Sequence, residues 1–140
     1  MSSFKTTRAI PVPPEKIFTA LSNPEKLSRW WGPTGFINTF KQFQFRPGGK
    51  WSFVMHGPDG RNYPNESEYI EIIPNEKVVI RHISEPKFTL TIIIKGSTQG
   101  SIIHWIQEFE NAEAAKKLAH IVELGNEQNL DRLTSEVCGS

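Results

Sequence analysis

The stretch Trp30-Trp31-Gly32-Pro33, two adjacent tryptophans before a Gly-Pro turn, decides the fold of this chain. Neighbouring side chains of a regular helix or strand cannot both enter one core, so we expect the chain to break here. Such a break would turn one ring inward and leave the other partly solvated. Further along, Arg46-Pro47-Gly48-Gly49-Lys50-Trp51 predicts a tight turn that leads into a strand, whose first large side chain is again tryptophan. Both stretches indicate an aromatic-lined interior, and neither is a catalytic motif.

Composition and charge are those of an ordinary globular protein. The chain has 140 residues, enough for one hydrophobic core, and 16 basic against 15 acidic residues leave a net charge of +1. We therefore expect no general attraction to nucleic acid or to an anionic membrane. The longest apolar runs, such as residues 91–94, are too short to cross a bilayer, and the first residues lack the apolar run of a signal peptide. We expect a single cytoplasmic domain over residues 1–140.

The first part of the chain predicts one strand and two short helices. Alternating side chains predict a strand over residues 4–12, which Pro13 and Pro14 close because proline lacks the N–H that a sheet needs. Residues 15–21 carry apolar side chains at helical spacing. Asn23 is a good N-cap for a second short helix over residues 24–29.

Six more strands are predicted between the paired tryptophans and residue 109. Turn residues separate alternating runs over residues 36–45, 50–56, 62–73, 78–83, 88–95 and 101–109. Short strands at regular spacing indicate an antiparallel meander. On the last strand, Trp105 and Gln107 share one face and His104 lies on the other. Because both faces mix apolar and polar residues, alternation alone does not say which face points inward.

A long helix completes the chain, with Asn111 as its N-cap and an end near residue 137. Its apolar stripe contains Gly125 and Asn129, where a helix packed tightly on a sheet would more often carry large side chains. A long amphipathic helix that follows a curved sheet can bury its stripe only on the concave face. We therefore predict an α+β helix-grip fold: a curved antiparallel sheet wrapped around a long C-terminal helix, with two short helices after the first strand.

Five stretches carry a resemblance to a known family: PPEKIFTAL (13–21), NPEKL (23–27), WWGP (30–33), PGGKWSFVMHGPDG (47–60) and YIEIIPNEKV (69–78). With these motifs in this order, the chain resembles the START-like (SRPBCC) superfamily, in the branch similar to the C-terminal domain of activators of the Hsp90 ATPase. The resemblance implies a helix-grip fold with a deep apolar pocket between the long helix and the sheet. Members of the superfamily bind lipids, sterols, hormones or polyketides, and some are cyclases or related enzymes.

The resemblance leaves three functions open. The leading prediction is a module that binds a small hydrophobic or amphipathic ligand, such as a lipid, sterol, polyketide or aromatic metabolite. An enzyme acting on a hydrophobic substrate, such as a cyclase, dehydratase or hydrolase, is the second; a perturbed titrating group inside the pocket would favour it. A chaperone-regulating interaction domain is the third. We rank it last, because the additional N-terminal domain of the Hsp90 activators has no counterpart here.

Candidate pocket residues come from the aromatic strand positions, the strand histidines and the small residues of the last helix. They are Trp31, Phe36, Trp51, Phe53, Met55, His82, His104, Trp105, Val122, Gly125 and Asn129. The apolar members could equally fill the core, whereas a histidine facing the pocket could orient a polar group or act as a base. No metal-ligand spacing, glycine-rich phosphate loop or nucleophile elbow occurs, so we predict no metal, cofactor or catalytic residue.

Overall fold

The computed structural model of the protein describes residues 2–139. The elements are β1 (Ser3–Ile10), α1 (Pro14–Ser22), α2 (Pro24–Trp30), β2 (Ile37–Phe43), β3 (Lys50–His56), β4 (Asn62–Ile73), β5 (Lys77–His82), β6 (Phe88–Ser97), β7 (Gly100–Phe109) and α3 (Ala112–Cys138). Their order and the α+β class are as predicted. Two strands have the predicted bounds, β3 and β4, and β1 ends two residues early because Pro11 follows Ile10.

All seven strands form one antiparallel sheet in the order β1-β7-β6-β5-β4-β3-β2. From β2 to β7 each strand pairs with the next along the chain, and β1 joins the far side by pairing with β7. Register shifts interrupt the pairing between Phe40 and Gln42 on β2 and between Tyr69 and Glu71 on β4. Such bulges bend a strand and increase its twist, which helps the sheet to curve.

The break at the paired tryptophans brings both rings into the core. Trp30 ends α2, and Trp31 has extended backbone angles (φ −68°, ψ 134°), so the two rings leave the chain in different directions. Their planes are 65° apart, with centroids separated by 5.5 Å. Trp30 is 1% exposed and Trp31 9%. The expectation that one ring stays partly solvated was therefore wrong, because the change from helical to extended backbone between these residues directs both rings inward.

The turn after the tryptophans requires glycine. Gly32 has φ +95°, a backbone conformation that residues with a Cβ rarely adopt. A Cβ at this position would also lie 2.5 Å from Cε of Met55 on β3. Glycine is therefore favoured here mainly by the backbone conformation, since the end of Met55 is flexible and could move away from an added Cβ.

Asparagines cap two of the helices, as predicted. The backbone N–H of Lys26 donates to Oδ1 of Asn23 at 3.1 Å, and that of Ala114 donates to Oδ1 of Asn111 at 3.0 Å. Each bond satisfies one of the free N–H groups at a helix start. No helix among residues 2–139 is long and apolar enough to cross a membrane.

The long helix α3 packs on the rest of the molecule mainly in its last third, with a further buried contact at Ala115 in its first turn. Leu130 and Leu133 are fully buried in the last third and join the aromatic core on the concave face of the sheet. Nearer the middle of the helix, Ile121 is 68% exposed and Leu124 61%. The middle of α3 therefore spans a gap above the sheet and does not lie directly on it.

Candidate functional site

A cavity of about 260 Å³ lies between the middle of α3 and the concave face of the sheet. Strands β3 to β7 provide its floor, the WWGP turn forms one side, and α3 covers it. Eight of the eleven candidate residues surround it: Trp31, Phe53, Met55, His82, Trp105, Val122, Gly125 and Asn129. The structure therefore brings most of the sequence-predicted set together around one space.

The other three candidates lie elsewhere. Trp51 is 1% exposed and packs behind the cavity wall, where its ring stacks on Phe53 at 4.3 Å between centroids. Phe36 precedes β2 and packs against the ring of Tyr63 at 5.9 Å. His104 is on β7 next to Trp105, so strand alternation directs it to the opposite face of the sheet.

Sequence reasoning did not select several residues that line the floor, the roof and the sides. They are Gly32, Pro33, Asn65, Ser67, Ile80, Pro86, Phe88, Leu90, Gln107, Ile121 and Asn126. The alternation of side chains along a strand could have identified some of them, because Gln107 shares a face with Trp105 and Ile80 shares a face with His82. Strand pairing identifies others, since Ser67 on β4 and Phe88 on β6 are the partners of His82 on β5.

Three tryptophans pack together at one side of the cavity: Trp31 meets Trp51, which lies behind the wall, edge to face, and meets Trp105 at a tilt of 39°. The ring centroid of Trp31 lies 5.0 Å from that of Trp51 and 5.9 Å from that of Trp105. Such contacts add to the burial energy of each ring. The indole N–H of Trp105 is enclosed and has no hydrogen-bond partner among the described residues. The wall is therefore rigid and almost entirely apolar.

A single arginine of α3 holds the turn that carries Trp31. The Nη1 and Nη2 groups of Arg132 donate to five backbone carbonyl oxygens over 2.7–3.1 Å: those of Arg29, Trp31, Gly32, Pro33 and Phe36. Burial lowers the pKa of Arg132 from its ordinary value, although a guanidinium remains charged at any pH at which the protein is folded. The neighbouring Asn129 donates from Nδ2 to the carbonyl of Trp30 at 3.0 Å. Two side chains of α3 therefore fix the side wall.

His82 is the titratable group of the cavity. Its side chain is 6% exposed and stacks on the ring of Phe88 at 4.5 Å. Nδ1 lies 2.8 Å from the carbonyl oxygen of Pro86, to which it can only donate. Nε2 lies 2.6 Å from Oδ1 of Asn65 and 3.3 Å from Oγ of Ser84. With Nδ1 donating, Nε2 of the neutral ring can accept from the hydroxyl of Ser84, whereas Oδ1 of Asn65 only accepts and bonds to Nε2 only when Nε2 carries a proton.

Burial lowers the pKa of His82 from its ordinary value of 6.5. Backbone hydrogen bonds to Pro86 and Ser84 and the charge of Glu85 act in the opposite direction, but burial has the larger effect. Burial therefore favours the neutral imidazole. A proton on Nε2 would donate to Oδ1 of Asn65 without any change of partner, so this amide oxygen acts against burial and favours the charged ring.

No full charge lies on the cavity surface. Among the described lining residues there is no aspartate, glutamate, lysine or arginine, and the polar members are amides, a hydroxyl and His82. The described residues also contain no group of three or more side chains that could hold a metal ion. The chemistry that this site can offer is apolar contact together with a few neutral hydrogen bonds.

The family assignment follows from the sequence. Residues 11–137 match the model of a protein family described as Activator of Hsp90 ATPase homolog 1-like protein. The chain belongs to this family. The match covers both short helices, the turn of paired tryptophans and most of α3. The cavity described above therefore lies entirely within the Activator of Hsp90 ATPase homolog 1-like region.

Solved structures with this fold come from several bacteria. The protein CV1439 of Chromobacterium violaceum is 21% identical, each chain is covered over 100% of its length, and the TM-score is 0.88. A protein of Arthrobacter aurescens is 21% identical over 99% of this chain and 87% of its own, with a TM-score of 0.91. For NE0264 of Nitrosomonas europaea the identity is 18%, the coverage 97% and 94%, and the TM-score 0.87. At these identities the likeness shows the fold alone. No curated protein matches the chain.

Proposed function

We propose that this Activator of Hsp90 ATPase homolog 1-like protein binds a small hydrophobic or amphipathic molecule in the cavity beneath α3. The observation that carries the proposal is the half-open cavity between helix and sheet, which is lined by aromatic and aliphatic side chains with a few polar groups. This composition is typical of sites for small organic ligands. The fold is also one that commonly accommodates hydrophobic molecules.

The volume of the cavity limits the ligand. Sites for drug-sized molecules usually span roughly 300–1,000 Å³, and the cavity here has about 260 Å³. A sterol or a two-chain lipid would require α3 to move away from the sheet. Of the four ligand types considered, an aromatic metabolite therefore fits with the least rearrangement.

Native mass spectrometry of the protein from its own host tests the proposal, followed by a thermal-shift screen of aromatic metabolites, sterols and lipids. A ligand present at about one hundred times its Kd stabilises a protein by about 2.7 kcal/mol, which a thermal shift detects readily. We expect a co-purifying small molecule or stabilisation by one compound class. An empty protein that no compound stabilises would overturn the proposal and favour an interaction role.

A pair of variants shows whether a bound molecule occupies the cavity. Val122 on α3 lines the cavity, whereas Leu124 on the same helix is 61% exposed. We expect Val122→Phe to fill part of the space and weaken binding at least tenfold, whereas Leu124→Phe leaves binding unchanged. Equal affinities for both variants would place the ligand elsewhere.

An enzymatic function has one observation in its favour, the neutral His82 on the cavity wall. Its support is weaker, because Nδ1 donates to the carbonyl of Pro86 and Nε2 faces the side chains of Asn65 and Ser84, so both nitrogens are directed at the fold. A reaction that uses this imidazole as a base would show a rate that falls as the pH decreases, and His82→Gln would abolish it.

A further inference from the structure

The polar groups of the cavity divide into those that the fold already uses and those that it does not. Asn129 donates to the backbone of Trp30, and His82 is engaged by Pro86 and Asn65. Ser67 (3% exposed) and Gln107 (9% exposed) line the same cavity, and neither side chain makes a hydrogen bond to another described residue. The enclosed indole N–H of Trp105 also has no partner there. The polar atoms of Ser67 and Gln107 are not among the fully enclosed atoms without a partner, so they reach the cavity surface, where a ligand could form hydrogen bonds with them.

Gln107 and Ser67 differ in their surroundings. Ser67 is the strand partner of His82, so its hydroxyl lies in the polar part of the floor. Gln107 pairs with Phe4 on β1 and with Leu90 on β6, and Trp105 shares its face two positions earlier on β7. The amide of Gln107 is therefore surrounded by apolar side chains. A bound molecule could supply the hydrogen-bond partner that these apolar neighbours do not.

The charge of the cavity restricts the ligand further. None of the described lining residues is charged, and the nearby guanidinium of Arg132 is occupied by five carbonyl oxygens. A buried carboxylate or ammonium group without an opposite charge costs several kcal/mol. The site therefore disfavours a ligand whose charged group would lie in the interior beside Gln107, away from the mouth of the cavity.

The volume of the cavity limits the size of the ligand. A cavity of about 150 Å³ with apolar walls holds a benzene molecule. The present volume of about 260 Å³ therefore suits one or two fused rings. Flat rings also fit walls formed by Trp31, Phe53 and Trp105, which can contact a ring by its edge or its face.

We propose that the ligand is an uncharged, compact aromatic molecule whose hydroxyl or amide group hydrogen bonds to the side-chain amide of Gln107. This inference rests on the proposed function. An amide both donates and accepts, so it matches a hydroxyl or a carboxamide on the ligand. The aromatic rings contribute affinity through burial, and Gln107 contributes selectivity for the neutral polar group.

Three probes of similar shape test this inference: 2-naphthol, naphthalene and 2-naphthoate, measured by calorimetry or equilibrium dialysis on the full chain at neutral pH. We expect 2-naphthol to bind about tenfold more tightly than naphthalene, the ratio that about 1.4 kcal/mol of binding free energy gives. We expect 2-naphthoate to bind more weakly than both. Equal or tighter binding of the carboxylate would overturn the inference and leave the proposed function intact.

Variants at Gln107 and Ser67 show which side chain forms the hydrogen bond to the ligand. Gln107→Leu is expected to remove the preference for 2-naphthol over naphthalene while naphthalene still binds, and Ser67→Ala is expected to keep it. The reverse result would overturn the assignment to Gln107. Gln107→Met serves as a second apolar replacement if the leucine variant does not fold. Failure of all three probes to bind the unaltered protein would overturn the inference and, together with a negative ligand screen, the proposed function as well.

Discussion

The guanidinium of Arg132 donates from Nη1 to the backbone carbonyl oxygen of Trp31 at 3.1 Å. This hydrogen bond joins the last third of α3 to the aromatic wall of the cavity. The chain leaves helical geometry at Trp31, so the carbonyl groups around it have lost their regular helical partners. Arg132 donates to five of these carbonyl groups, of which that of Trp31 also accepts from Nδ2 of Asn38 and that of Pro33 from the backbone N–H of Phe36. The position of the wall therefore depends on the helix.

Replacing Arg132 tests this dependence. We expect Arg132→Ala to lower the free energy of unfolding by roughly 2–4 kcal/mol, because several carbonyl groups lose a charged donor at once. Arg132→Lys should cost about half as much, since one ammonium group cannot reproduce the planar fork. Urea unfolding measures both. Arg61→Ala is the control: its side chain is 78% exposed, and we expect a change within about 0.5 kcal/mol. Equal effects at both positions would contradict a specific role for Arg132.

A second prediction concerns the close approach of Gly32 to Met55. Gly32→Ala is expected to destabilise the protein through its positive φ, whereas the added Cβ meets only the flexible end of Met55, which can turn aside. Gly48→Ala is a matched control, because Gly48 also has a positive φ (+81°) but no atom within 4 Å of the added Cβ. We expect a similar cost of about 1 kcal/mol for both variants in urea unfolding. A much larger cost for Gly32→Ala, with a coupling energy to Met55→Ala in a double-mutant cycle, would show that Met55 cannot move.

Local chemistry predicted much of the fold. The caps at Asn23 and Asn111 and the turns between strands are properties of short segments, and the structure has each element where its segment indicates. The alternation of side chains along β7 also bears on the cavity. If Trp105 faces inward, Gln107 must face inward and His104 outward. His104 and Trp105 therefore cannot both line the cavity.

The function of Arg132 could not be predicted in this way. In the sequence it is one charge on a helix beside Asp131, and a solvated salt bridge is the ordinary interpretation of such a residue. Its carbonyl acceptors lie 96 to 103 positions earlier in the chain. Only the tertiary fold brings α3 against the WWGP turn. The sequence also does not specify that the sheet curves enough to leave a cavity beneath Gly125.

Gly125 provides the third prediction, which separates stability from binding. Glycine within a helix is less favourable than alanine by about 1 kcal/mol. A Cβ at this position would lie 3.6 Å from Cγ of Pro33, an ordinary contact across the mouth of the cavity. We therefore expect Gly125→Ala to raise the free energy of unfolding by about 0.5–1 kcal/mol. A bulkier Gly125→Leu should reduce ligand affinity, because it extends further into the space beside Pro33. Destabilisation by alanine would show that α3 packs more tightly here than the structure indicates.

The fourth prediction is a dependence of stability on pH that originates at His82. Burial places the pKa of this imidazole below 6.5 in the folded protein, whereas in the unfolded chain it has its ordinary value. Between these two values the unfolded chain binds a proton that the folded protein does not. Stability therefore decreases as the pH falls through about 6.5, and this contribution levels off below the folded pKa.

Replacement of His82 isolates this contribution from that of the other titrating groups. Unfolding by urea at a series of pH values from about 7.5 downward should show a shallower loss of stability for His82→Gln than for the unaltered protein, whatever the offset between the two curves. The slope, not the absolute stability, is the relevant quantity, because glutamine also changes the contacts with Asn65 and Pro86. Parallel curves would mean that His82 binds protons equally well in the folded and unfolded states. A steeper curve for the variant would mean that the hydrogen bonds to Pro86 and Ser84 outweigh burial and stabilise the charged ring.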